Sequence, residues 1–371
     1  MKDTAMTDWQ RIWNDDEYRR LSPVRAILFL FAQIYRLVAG FRNRLYDRRL
    51  LKTVRLSCPV ISIGNISVGG TGKTPCVVLV AKLLKSHGYS PAILSRGYGG
   101  KSSASVNVVS DENGVLLDVE TAGDEPVLLA RSLPGIPVLT GARRVLTGQA
   151  AINRFGANVL ICDDAFQHRQ IVRDLDIVLL DGEKPLGNGH LLPRGELREP
   201  PEGLGRASCI LLTRAEAAGP LDPDIARMAG RMGIPVFRSV HSFEDMKSGD
   251  ERTLMSPENL RGRKICAFCG IARPASFEKL LLEAGTEICA FLPFPDHYAY
   301  NRFDLEAIKG RFQKENADYW VTTEKDAMRL AGHAEFLKRI WIMRMKMKMQ
   351  PSSDLLEHFI LERLPAPVRN G

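Results

Sequence analysis

The sequence predicts an α/β fold with a largely parallel sheet, a second and smaller α/β domain, and an amphipathic helix near the N-terminus. Three observations predict it. Short apolar runs alternate with helical patterns from residue 59 onward, a glycine-rich loop follows the first of these runs, and a basic segment surrounds an apolar stretch near the start. Alternation of strands and helices favours a parallel sheet, because each helix returns the chain to the same edge before the next strand begins.

The apolar runs and the helical patterns give the order of the elements. Strands are predicted at residues 60–64, 92–95, 138–140, 159–162, 177–181, 209–213, 236–240, 265–268, 288–292, 320–323 and 340–347. Helices are predicted at residues 73–86, 125–132, 143–154, 274–283, 305–313 and 354–363. Residues 182–205 should form a long loop of the kind that often carries function. Methionine alternates with arginine or lysine over residues 343–349, which is typical of an edge strand with one basic face.

The pattern weakens over residues 241–262, and we place a domain boundary there. We therefore expect an N-terminal helical segment at residues 1–55, a main domain at 56–240 and a smaller α/β domain at 241–371. A chain of 371 residues with 45% hydrophobic content is long enough for this division and is not mainly disordered. Its seven scattered cysteines, with no secretory leader before them, favour a reducing cytoplasm over a disulfide scaffold.

The net charge of +8 is concentrated near the N-terminus. Residues 19–55 hold ten basic residues against the single acid Asp47, a net charge of +9, so the rest of the chain sums to −1. A nucleic-acid-binding protein would spread its basic residues over a folded face, and we expect no nucleic-acid partner. Instead, the charge surrounds the apolar stretch 26–41. This combination predicts a helix that lies in the plane of an anionic membrane surface. The alternative is a core helix that packs on the main domain.

The strongest chemical signal is the segment VISIGNISVGGTGKTP at residues 60–75. An apolar strand leads into a glycine-rich loop, and a helical pattern follows. Backbone N–H groups of such a loop can surround phosphate oxygens, here from Gly69, Gly70, Thr71 and Gly72. Lys73 would reach the β- and γ-phosphates, and the Thr74 hydroxyl would bind Mg²⁺. Ser67 stands where the usual spacing has glycine, but a plain turn would not explain Gly-Lys-Thr. The main domain is therefore predicted to be of the P-loop NTPase type.

A second signal is the strand VLICDD, which ends in Asp163 and Asp164. Two adjacent carboxylates repel each other unless a cation neutralises them. P-loop proteins hold their metal at such a strand end, so both are candidate metal-site residues. The alternative is a pair of residues that caps a helix N-terminus.

Three further groups are individually weaker. Asp124, in GDEP, stands before a helix and could cap it or accept a proton from an attacking hydroxyl. Arg143 and Arg144 could bind phosphate or be solvated. His297, in PFPDHY, lies between an Asp and aromatic residues and could be an acid–base partner or a structural histidine.

Lys325 and Asp326 form another candidate group, in the segment TTEKDA at a predicted strand end. Their order resembles base-reading loops of P-loop GTPases but lacks the Asn-Lys-x-Asp spacing, so guanine specificity is not expected. Helix capping is the alternative. Cys266 and Cys269 form one Cys-x-x-Cys inside an apolar strand, without a second pair at zinc-site spacing, and we expect buried reduced thiols.

Seven segments occur in order along the chain: GNISVGGTGKTP, LSRGYGG, GDEP, CDDAFQH, LLPRGELREP, FPDHY and TEKDA. Together with the basic N-terminal segment they resemble the tetraacyldisaccharide 4'-kinase family of Gram-negative bacteria, over about residues 20–330. The resemblance implies a P-loop α/β domain joined to a smaller α/β domain. It also implies an enzyme of lipid A biosynthesis that moves the γ-phosphoryl group of ATP to the 4'-hydroxyl of a tetraacylated glucosamine disaccharide 1-phosphate.

The resemblance also implies roles at the phosphates and the metal. Lys73 and Thr74 would hold phosphates and Mg²⁺, and Asp163 and Asp164 would organise the metal. Glu199, in the LREP segment, would approach the metal, although the nearby Glu196 leaves that assignment open.

The remaining implied roles concern the acceptor and the base. Asp124 would act on the sugar hydroxyl, with His297 as the partner that tunes it, and Arg144 would assist at the phosphates. Lys325 and Asp326 would lie near the nucleotide base, and the SRGYGG loop would meet the lipid.

The expected ligands and partners are therefore ATP, Mg²⁺, the acylated disaccharide 1-phosphate and an anionic membrane surface bound through residues 19–55. The expected protein is a monomer, peripheral or monotopic on the cytoplasmic face of the inner membrane. A rival class is a membrane-docked P-loop switch ATPase without a lipid acceptor. That class usually carries a lysine just before Gly-Gly, where this chain has Val68.

Overall fold

The centre of the molecule is one mixed β-sheet. The structure, a computed structural model, describes Trp13, residues 23–215 and residues 219–367. Its strands are β1 (Val60–Asn65), β2 (Pro91–Ser95), β3 (Asn107–Ser110), β4 (Val138–Thr140), β5 (Val159–Asp163), β6 (Leu175–Asp181), β7 (Cys209–Thr213), β8 (Val236–Ser248), β9 (Leu254–Met255), β10 (Lys264–Cys269), β11 (Glu287–Pro293), β12 (Tyr319–Thr323) and β13 (Trp341–Gln350). They are ordered β11-β10-β12-β13-β8-β7-β6-β1-β5-β2-β4-β3, with β9 paired to β8.

Helices cover the sheet and connect its strands. They are α1 (Pro23–Asp47), α2 (Lys73–Ser86), α3 (Val119–Ala122), α4 (Asp124–Ser132), α5 (Arg144–Phe155), α6 (Pro223–Met232), α7 (Pro274–Glu283), α8 (Arg302–Lys314), α9 (Glu324–Arg329), α10 (Ala334–Leu337) and α11 (Asp354–Leu361). Every strand and helix predicted from the sequence is present, and the α/β class with mostly parallel strands is confirmed.

The strands β1, β5 and β6 form the core that positions the site. β1 pairs in parallel with β5 on one side and with β6 on the other. All their residues are buried, which is why their sequences are mostly apolar on both faces rather than alternating. Because these strands are parallel, their carboxyl ends meet at one edge of the sheet, where the phosphate loop and the two aspartates lie.

The long strand β8 joins two sections of the sheet. We call β1 to β7 the N-terminal section and β10 to β13 the C-terminal section. β8 pairs in parallel with β7 through its first residues and antiparallel with β13 along nearly its whole length. The boundary expected at residue 240 falls inside β8. The division into a main and a smaller domain stays a prediction, with the β8–β13 pair as the connection between the two sections.

β13 is not the edge strand that its alternating methionines predicted. Its first three residues pair with β12, and the strand pairs with β8 on the other side. From Arg344 onward only the β8 side is paired among the described residues, and there the alternation has its expected effect. Met347 and Met349 are buried, whereas Lys346 and Lys348 are exposed.

Several short elements were not predicted: β3, β9, α3, α6, α9 and α10. β9 is only two residues long, and α3 and α10 each have four residues, too few to show a hydrophobic period. α9 follows β12 directly, with Thr323 as its N-cap. Helix capping, the alternative interpretation of TEKDA, is confirmed, because the Thr323 side chain accepts from the Asp326 N–H.

The N-terminal helix α1 is 25 residues long and lies on the N-terminal section. Only Ala32 and Tyr46 of α1 are buried, and nine large apolar side chains are more than 45% exposed: Val24, Ile27, Phe29, Leu30, Phe31, Ile34, Leu37, Val38 and Phe41. By length and composition, α1 is also apolar enough to cross a membrane. Arg19 and Arg20 of the basic segment lie outside the described residues.

Candidate active site

The phosphate loop connects β1 to α2. Gly69 has φ of +100° and Gly72 has φ of +81°, backbone conformations that favour glycine. The amide of Asn65 donates to Thr71 Oγ1 at 2.9 Å, and the hydroxyl of Thr213 on β7 donates to the Thr71 carbonyl at 3.0 Å. These bonds hold the loop at Thr71, and Gly72 is the N-cap residue of α2. The arrangement suits a phosphate group, because the first N–H groups of a helix have no partners within the helix.

The two aspartates stand beside this loop at the end of β5. Asp163 pairs with Ile63 of β1 in the sheet, so the acids and the phosphate loop share one edge. Asp163 is buried, and Ser95 Oγ donates to its Oδ2 at 3.3 Å. Asp164 accepts from Arg198 Nη1 at 2.9 Å on both oxygens and lies 3.7 Å from Lys73 Nζ.

Asp163 has the environment of a cation ligand. Burial, followed by the charges of Glu125 and Asp164, raises the pKa of Asp163 to about 7. Its Oδ1 is buried without a hydrogen-bond partner within the described part of the chain. An orphaned, partly destabilised carboxylate beside a phosphate loop fits a divalent cation that also touches the phosphates. Across the same described residues, no group of three acidic, histidine or cysteine side chains forms a complete metal cluster, so phosphate oxygens and water would complete the shell.

Glu199 lies near this pair, but its carboxylate is already engaged. Its Oε1 accepts from Gln167 Nε2 at 2.8 Å, and its Oε2 accepts from Arg206 Nη2 at 2.6 Å. Each oxygen keeps a second lone pair, so these two bonds orient Glu199 and leave it able to approach a cation. Glu196, the alternative, has its pKa raised chiefly by burial.

Asp124 and His297 come together across the two sections of the sheet. Nδ1 of His297, in the loop after β11, lies 3.1 Å from Oδ2 of Asp124, the first residue of α4. The same Oδ2 accepts from Arg329 Nε at 2.8 Å and from Nη2 at 2.7 Å. Burial alone would raise the pKa of Asp124, but the hydrogen bond from His297 and the charge of Arg329 outweigh it and hold this pKa well below its usual range.

Lys325 and Asp326 have different surroundings although they are adjacent. Lys325 Nζ donates to Glu125 Oε1 at 2.6 Å, so it also connects the two sections of the sheet. Asp326 is fully buried and accepts from the Gly270 N–H and the Tyr300 hydroxyl, both at 2.9 Å. Asp326 thus lies in the network behind the cavity wall.

Arg144 is buried at the start of α5 and donates from Nη1 to the Gly141 carbonyl at 2.6 Å. It lies close enough to His168 and Asp163 to affect their pKa values. Burial, and then the charge of Arg144, lowers the pKa of His168 to about 4. This wall is therefore electropositive and suits an anion.

One cavity of about 1220 Å³ collects most of these groups. Its lining includes the predicted residues Gly69, Gly70, Thr71, Gly72, Lys73, Thr74, Arg144, Asp163, Asp164, Glu199, His297 and Lys325. Asp124 and Asp326 are not in the lining and stand behind it. Both sections of the sheet contribute walls, so the cavity is a cleft between them.

Sequence reasoning did not find Arg329, Glu125, Gln167 or Arg198. Arg329 follows Asp326 by one helical turn, and the two are bonded at 3.3 Å, but this spacing becomes a signal only once α9 is recognised. Glu125 is adjacent to Asp124 within the GDEP segment and could have been considered with it.

A phosphate loop, an acid pair at the neighbouring strand end and an Asp–His pair beside the same cleft define a P-loop phosphotransferase. The sequence model of the family described as "Tetraacyldisaccharide-1-P 4'-kinase" matches residues 24–365. The chain belongs to this family.

Relatives and a solved structure agree with this assignment. A curated tetraacyldisaccharide 4'-kinase of Syntrophus aciditrophicus (strain SB) is 46% identical over 96% of this chain and 97% of its own length. The protein of the same name from Anaeromyxobacter dehalogenans (strain 2CP-C) is 41% identical over 95% and 94%. The crystal structure of the "apo" form of LpxK from Aquifex aeolicus in complex with ATP has a TM-score of 0.75 and 34% identity, and the match covers 92% of this chain and all of that chain.

Proposed function

We propose that the cleft carries out the reaction for which the family is named. The γ-phosphoryl group of ATP is transferred to the 4'-hydroxyl of a tetraacylated glucosamine disaccharide 1-phosphate, a step of lipid A biosynthesis. The observation that carries the proposal is the shared cleft: the phosphate loop and His297, with Asp124 behind it, face one cavity from opposite sections of the sheet. A nucleotide and an acceptor hydroxyl can meet there.

The phosphate loop binds the nucleotide in this proposal. Its backbone N–H groups surround the β-phosphate, and Lys73 neutralises charge on the β- and γ-phosphates. Arg144 stabilises negative charge on the transferred group. Lys325 stands at the cleft wall on the side of the nucleotide. The ATP in the Aquifex aeolicus complex supports ATP as the nucleotide.

Mg²⁺ is the proposed cation. Thr74 and Asp163 would hold it. Asp164 would lie beside them, with its negative charge balanced by Lys73 and Arg198. When bound, Mg²⁺ supplies charge neutralisation at the phosphates. The donor set supports this choice, because hydroxyl and carboxylate oxygens are the ligands that Mg²⁺ prefers.

The Asp124–His297 pair activates the acceptor. The proton of the 4'-hydroxyl passes to the pair as the oxygen attacks the γ-phosphorus, and ADP leaves. Positioning and charge stabilisation supply most of the rate enhancement in such transfers, so the pair contributes a modest part.

The helix α1 brings the enzyme to its lipid substrate in this proposal. Its polar side is anchored on the N-terminal section, where Tyr35 donates to the Arg198 carbonyl at 2.7 Å and Arg169 donates to Asp47 at 2.6 Å. Its exposed apolar side would enter the interface of an anionic membrane. A helix held along its length in this way supports a peripheral or monotopic place on the cytoplasmic face of the inner membrane. We propose that the protein acts as a monomer, without nucleic acid.

The test is transfer of labelled γ-phosphate from ATP to purified lipid A disaccharide 1-phosphate in mixed micelles with Mg²⁺. We expect labelled lipid with the wild-type protein and essentially none with Lys73→Ala. Lys314→Ala, at the exposed end of α8, is the matched control and should retain wild-type activity. ATP hydrolysis without labelled lipid would contradict the proposal and favour a membrane-docked switch ATPase.

A further inference from the structure

A buried carboxylate beside the phosphate loop is shared by two arginines from different sections of the sheet. Asp181 is the last residue of β6, and its side chain is only 3% exposed. Its Oδ2 accepts from Nη2 of Arg214, which follows β7 directly, and also contacts Nη1 of Arg273. Its Oδ1 accepts from the Glu183 N–H at 2.9 Å. The carboxylate is therefore fixed on both oxygens and holds both guanidinium groups in place.

Arg214 connects this carboxylate to the phosphate loop. The same Nη2 donates to the Gly70 carbonyl at 3.1 Å, and the hydroxyl of the neighbouring Thr213 donates to the Thr71 carbonyl at 3.0 Å. The backbone of Arg214 has φ of +54°, a conformation that is unfavourable for a residue with a side chain and persists only where the surroundings hold it. The end of β7 thus binds two consecutive carbonyl groups of the loop.

These carbonyl contacts also set the direction of the N–H groups that follow them. In a trans peptide unit, the carbonyl and the N–H of the next residue point in opposite directions. With the carbonyls of Gly70 and Thr71 bound by the end of β7, the N–H groups of Thr71 and Gly72 are directed away from it. Neither N–H donates to a backbone carbonyl among the described residues, and both residues line the cavity. Both N–H groups are therefore available to a phosphate group.

Arg273 reaches the same carboxylate from the C-terminal section. It lies in the loop after β10, as the N-cap residue of α7. This loop approaches the phosphate loop closely, since the Cβ of Ala272 lies 3.5 Å from the position that a Cβ on Gly70 would occupy. Arg273 also lies 3.9 Å from Glu183, whose side chain is 63% exposed, so the contact with the buried Asp181 is the closer one. The C-terminal section thus contributes to the support of the phosphate loop.

The charges of this group favour a polyphosphate. One buried carboxylate is shared by two guanidinium groups, and arginine is not deprotonated in proteins. The further acid Glu183 is exposed to water, which weakens its effect. Arg214 and Arg273 both line the cavity beside the phosphate loop. The resulting positive potential suits a nucleoside di- or triphosphate.

We propose that Arg273 is a positioning residue for nucleotide binding, which acts through Asp181 and Arg214 on the phosphate loop. This inference rests on the proposed function, in which the loop binds ATP. Arg273 keeps the Asp181 carboxylate in the position from which Arg214 holds the Gly70 carbonyl. The N–H groups of the loop then face the β-phosphate before the nucleotide arrives, so binding does not have to order them. The C-terminal section thereby sets the affinity of a loop that belongs to the N-terminal section.

The choice of nucleotide distinguishes this role from a direct contact with the transferred phosphate. The oriented N–H groups surround the β-phosphate, which ATP and ADP share. Arg273→Met should therefore raise Kd for ATP and Kd for ADP by the same factor, roughly 5- to 50-fold. An arginine that contacted the γ-phosphate would affect ATP alone. Because the reacting groups are unchanged, kcat at saturating ATP should change less than threefold, and the loss should appear in KM for ATP.

The experiment is calorimetric titration of the full chain in detergent micelles with ATP and with ADP, each with Mg²⁺ and without a lipid acceptor. Arg273→Lys keeps the charge but not the planar fork, and it should recover part of the affinity. Arg227→Met is the matched control, because Arg227 also pairs with an aspartate, Asp224 at 3.3 Å, but on the exposed surface of α6. The control should bind both nucleotides as the wild-type protein does.

The double variant Arg214→Met/Arg273→Met tests the route through Asp181. If both arginines act through this carboxylate, Arg273→Met should add little to the loss of affinity caused by Arg214→Met, whereas independent contacts would multiply the two losses. Wild-type affinity in Arg273→Met, a loss confined to ATP, or multiplied losses in the double variant would each overturn the inference.

The binding measurement also separates this inference from the proposed function. A wild-type protein that binds ATP but labels no lipid contradicts the proposed function, and the comparison of ATP with ADP can still be made. If Arg214→Met does not fold, that comparison in Arg273→Met decides by itself, since the Arg273 side chain is 33% exposed at the cleft wall and its replacement leaves no buried cavity.

Discussion

Lys325 and Glu125 form an ion pair with 2.6 Å between Nζ and Oε1, although 200 residues separate them in the chain. Glu125 belongs to α4 of the N-terminal section, and Lys325 belongs to α9, next to β12 of the C-terminal section. Burial alone would lower the pKa of Lys325, but the charge of Glu125 outweighs burial and raises it. Arg329 and Asp124 form a second charged contact between the same two helices, α9 and α4. The two contacts together close one side of the cleft.

The first prediction concerns this ion pair. Lys325→Met leaves the Glu125 charge unpaired beside Asp163, and we expect kcat/KM to fall roughly 10- to 100-fold and the protein to lose about 1–3 kcal/mol of unfolding free energy. The double variant Lys325→Met/Glu125→Gln removes both charges and should recover part of the stability. A double-mutant cycle of thermal unfolding measures the coupling, expected to be at least about 1 kcal/mol. Strictly additive effects of the two changes would contradict the ion pair.

The second prediction concerns the phosphate loop. A Cβ at Gly72 would lie 2.8 Å from His241 Nε2 of β8, and the residue has φ of +81°. Gly72→Ala should therefore combine backbone strain of about 1 kcal/mol with a displaced loop, and nucleotide binding should weaken at least tenfold. Gly69→Ala is the matched control, since Gly69 also has a positive φ but nothing lies within 4 Å of its added Cβ.

Calorimetric titration with ATP compares the two glycine variants. Gly69→Ala should show the backbone cost alone and bind ATP more tightly than Gly72→Ala. Equal losses in the two variants would mean that the contact with His241 has no part in shaping the loop.

The phosphate loop and Asp163 could be predicted from sequence because each is a local feature at the end of an apolar strand. Parallel strands then bring those ends together without further information. The contacts of Arg329 with Asp124 and of Lys325 with Glu125 span 205 and 200 residues, and they depend on how the two sections of the sheet are joined. No local pattern encodes that arrangement. The prediction of β13 as an edge strand is wrong for the same reason, since its pairing with β12 depends on tertiary contacts.

A third prediction concerns α1. Leu37 and Phe41 are 73% and 63% exposed, and replacing both by glutamine should reduce binding to vesicles of anionic phospholipid by at least tenfold. Transfer of phosphate to a lipid acceptor in such vesicles should fall in parallel. Leu254→Gln changes a 61% exposed leucine on β9 and should leave vesicle binding unchanged.

Arg44 in the last turn of α1 and Arg48 just after the helix provide a separate test by salt. Arg44→Gln/Arg48→Gln should weaken binding to anionic vesicles at low salt and have a smaller effect at high salt. Dissolved ions screen exposed charges, with a screening length of about 10 Å at 0.1 M that shortens as salt is added. Co-sedimentation with vesicles at several salt concentrations measures this. Binding of the wild-type protein that is equal on neutral and anionic vesicles would contradict the electrostatic part of the membrane proposal.

The last prediction concerns stability as a function of pH and uses His241. Burial, and then the charge of Arg214, lowers the pKa of His241 in the folded protein to about 4, against 6.5 as its ordinary value. Between these two values the unfolded chain binds a proton that the folded protein does not. Stability therefore falls as pH decreases from about 6.5 to about 4, and below 4 this group adds no further loss. One pKa unit corresponds to about 1.4 kcal/mol, so the loss from His241 should reach about 2–3 kcal/mol at pH 4.

His241→Gln should flatten this part of the profile, measured by urea unfolding without nucleotide from pH 4 to 8. The exposed His358→Gln on α11 is the control and should keep the wild-type slope. The pKa of His168 is also lowered to about 4, and this histidine is present in both variants. It contributes a second loss of stability at low pH, so His241→Gln should reduce the slope rather than abolish it. An unchanged slope in His241→Gln would mean that His241 has the same pKa in the folded and the unfolded protein, in conflict with its burial beside Arg214 and the phosphate loop.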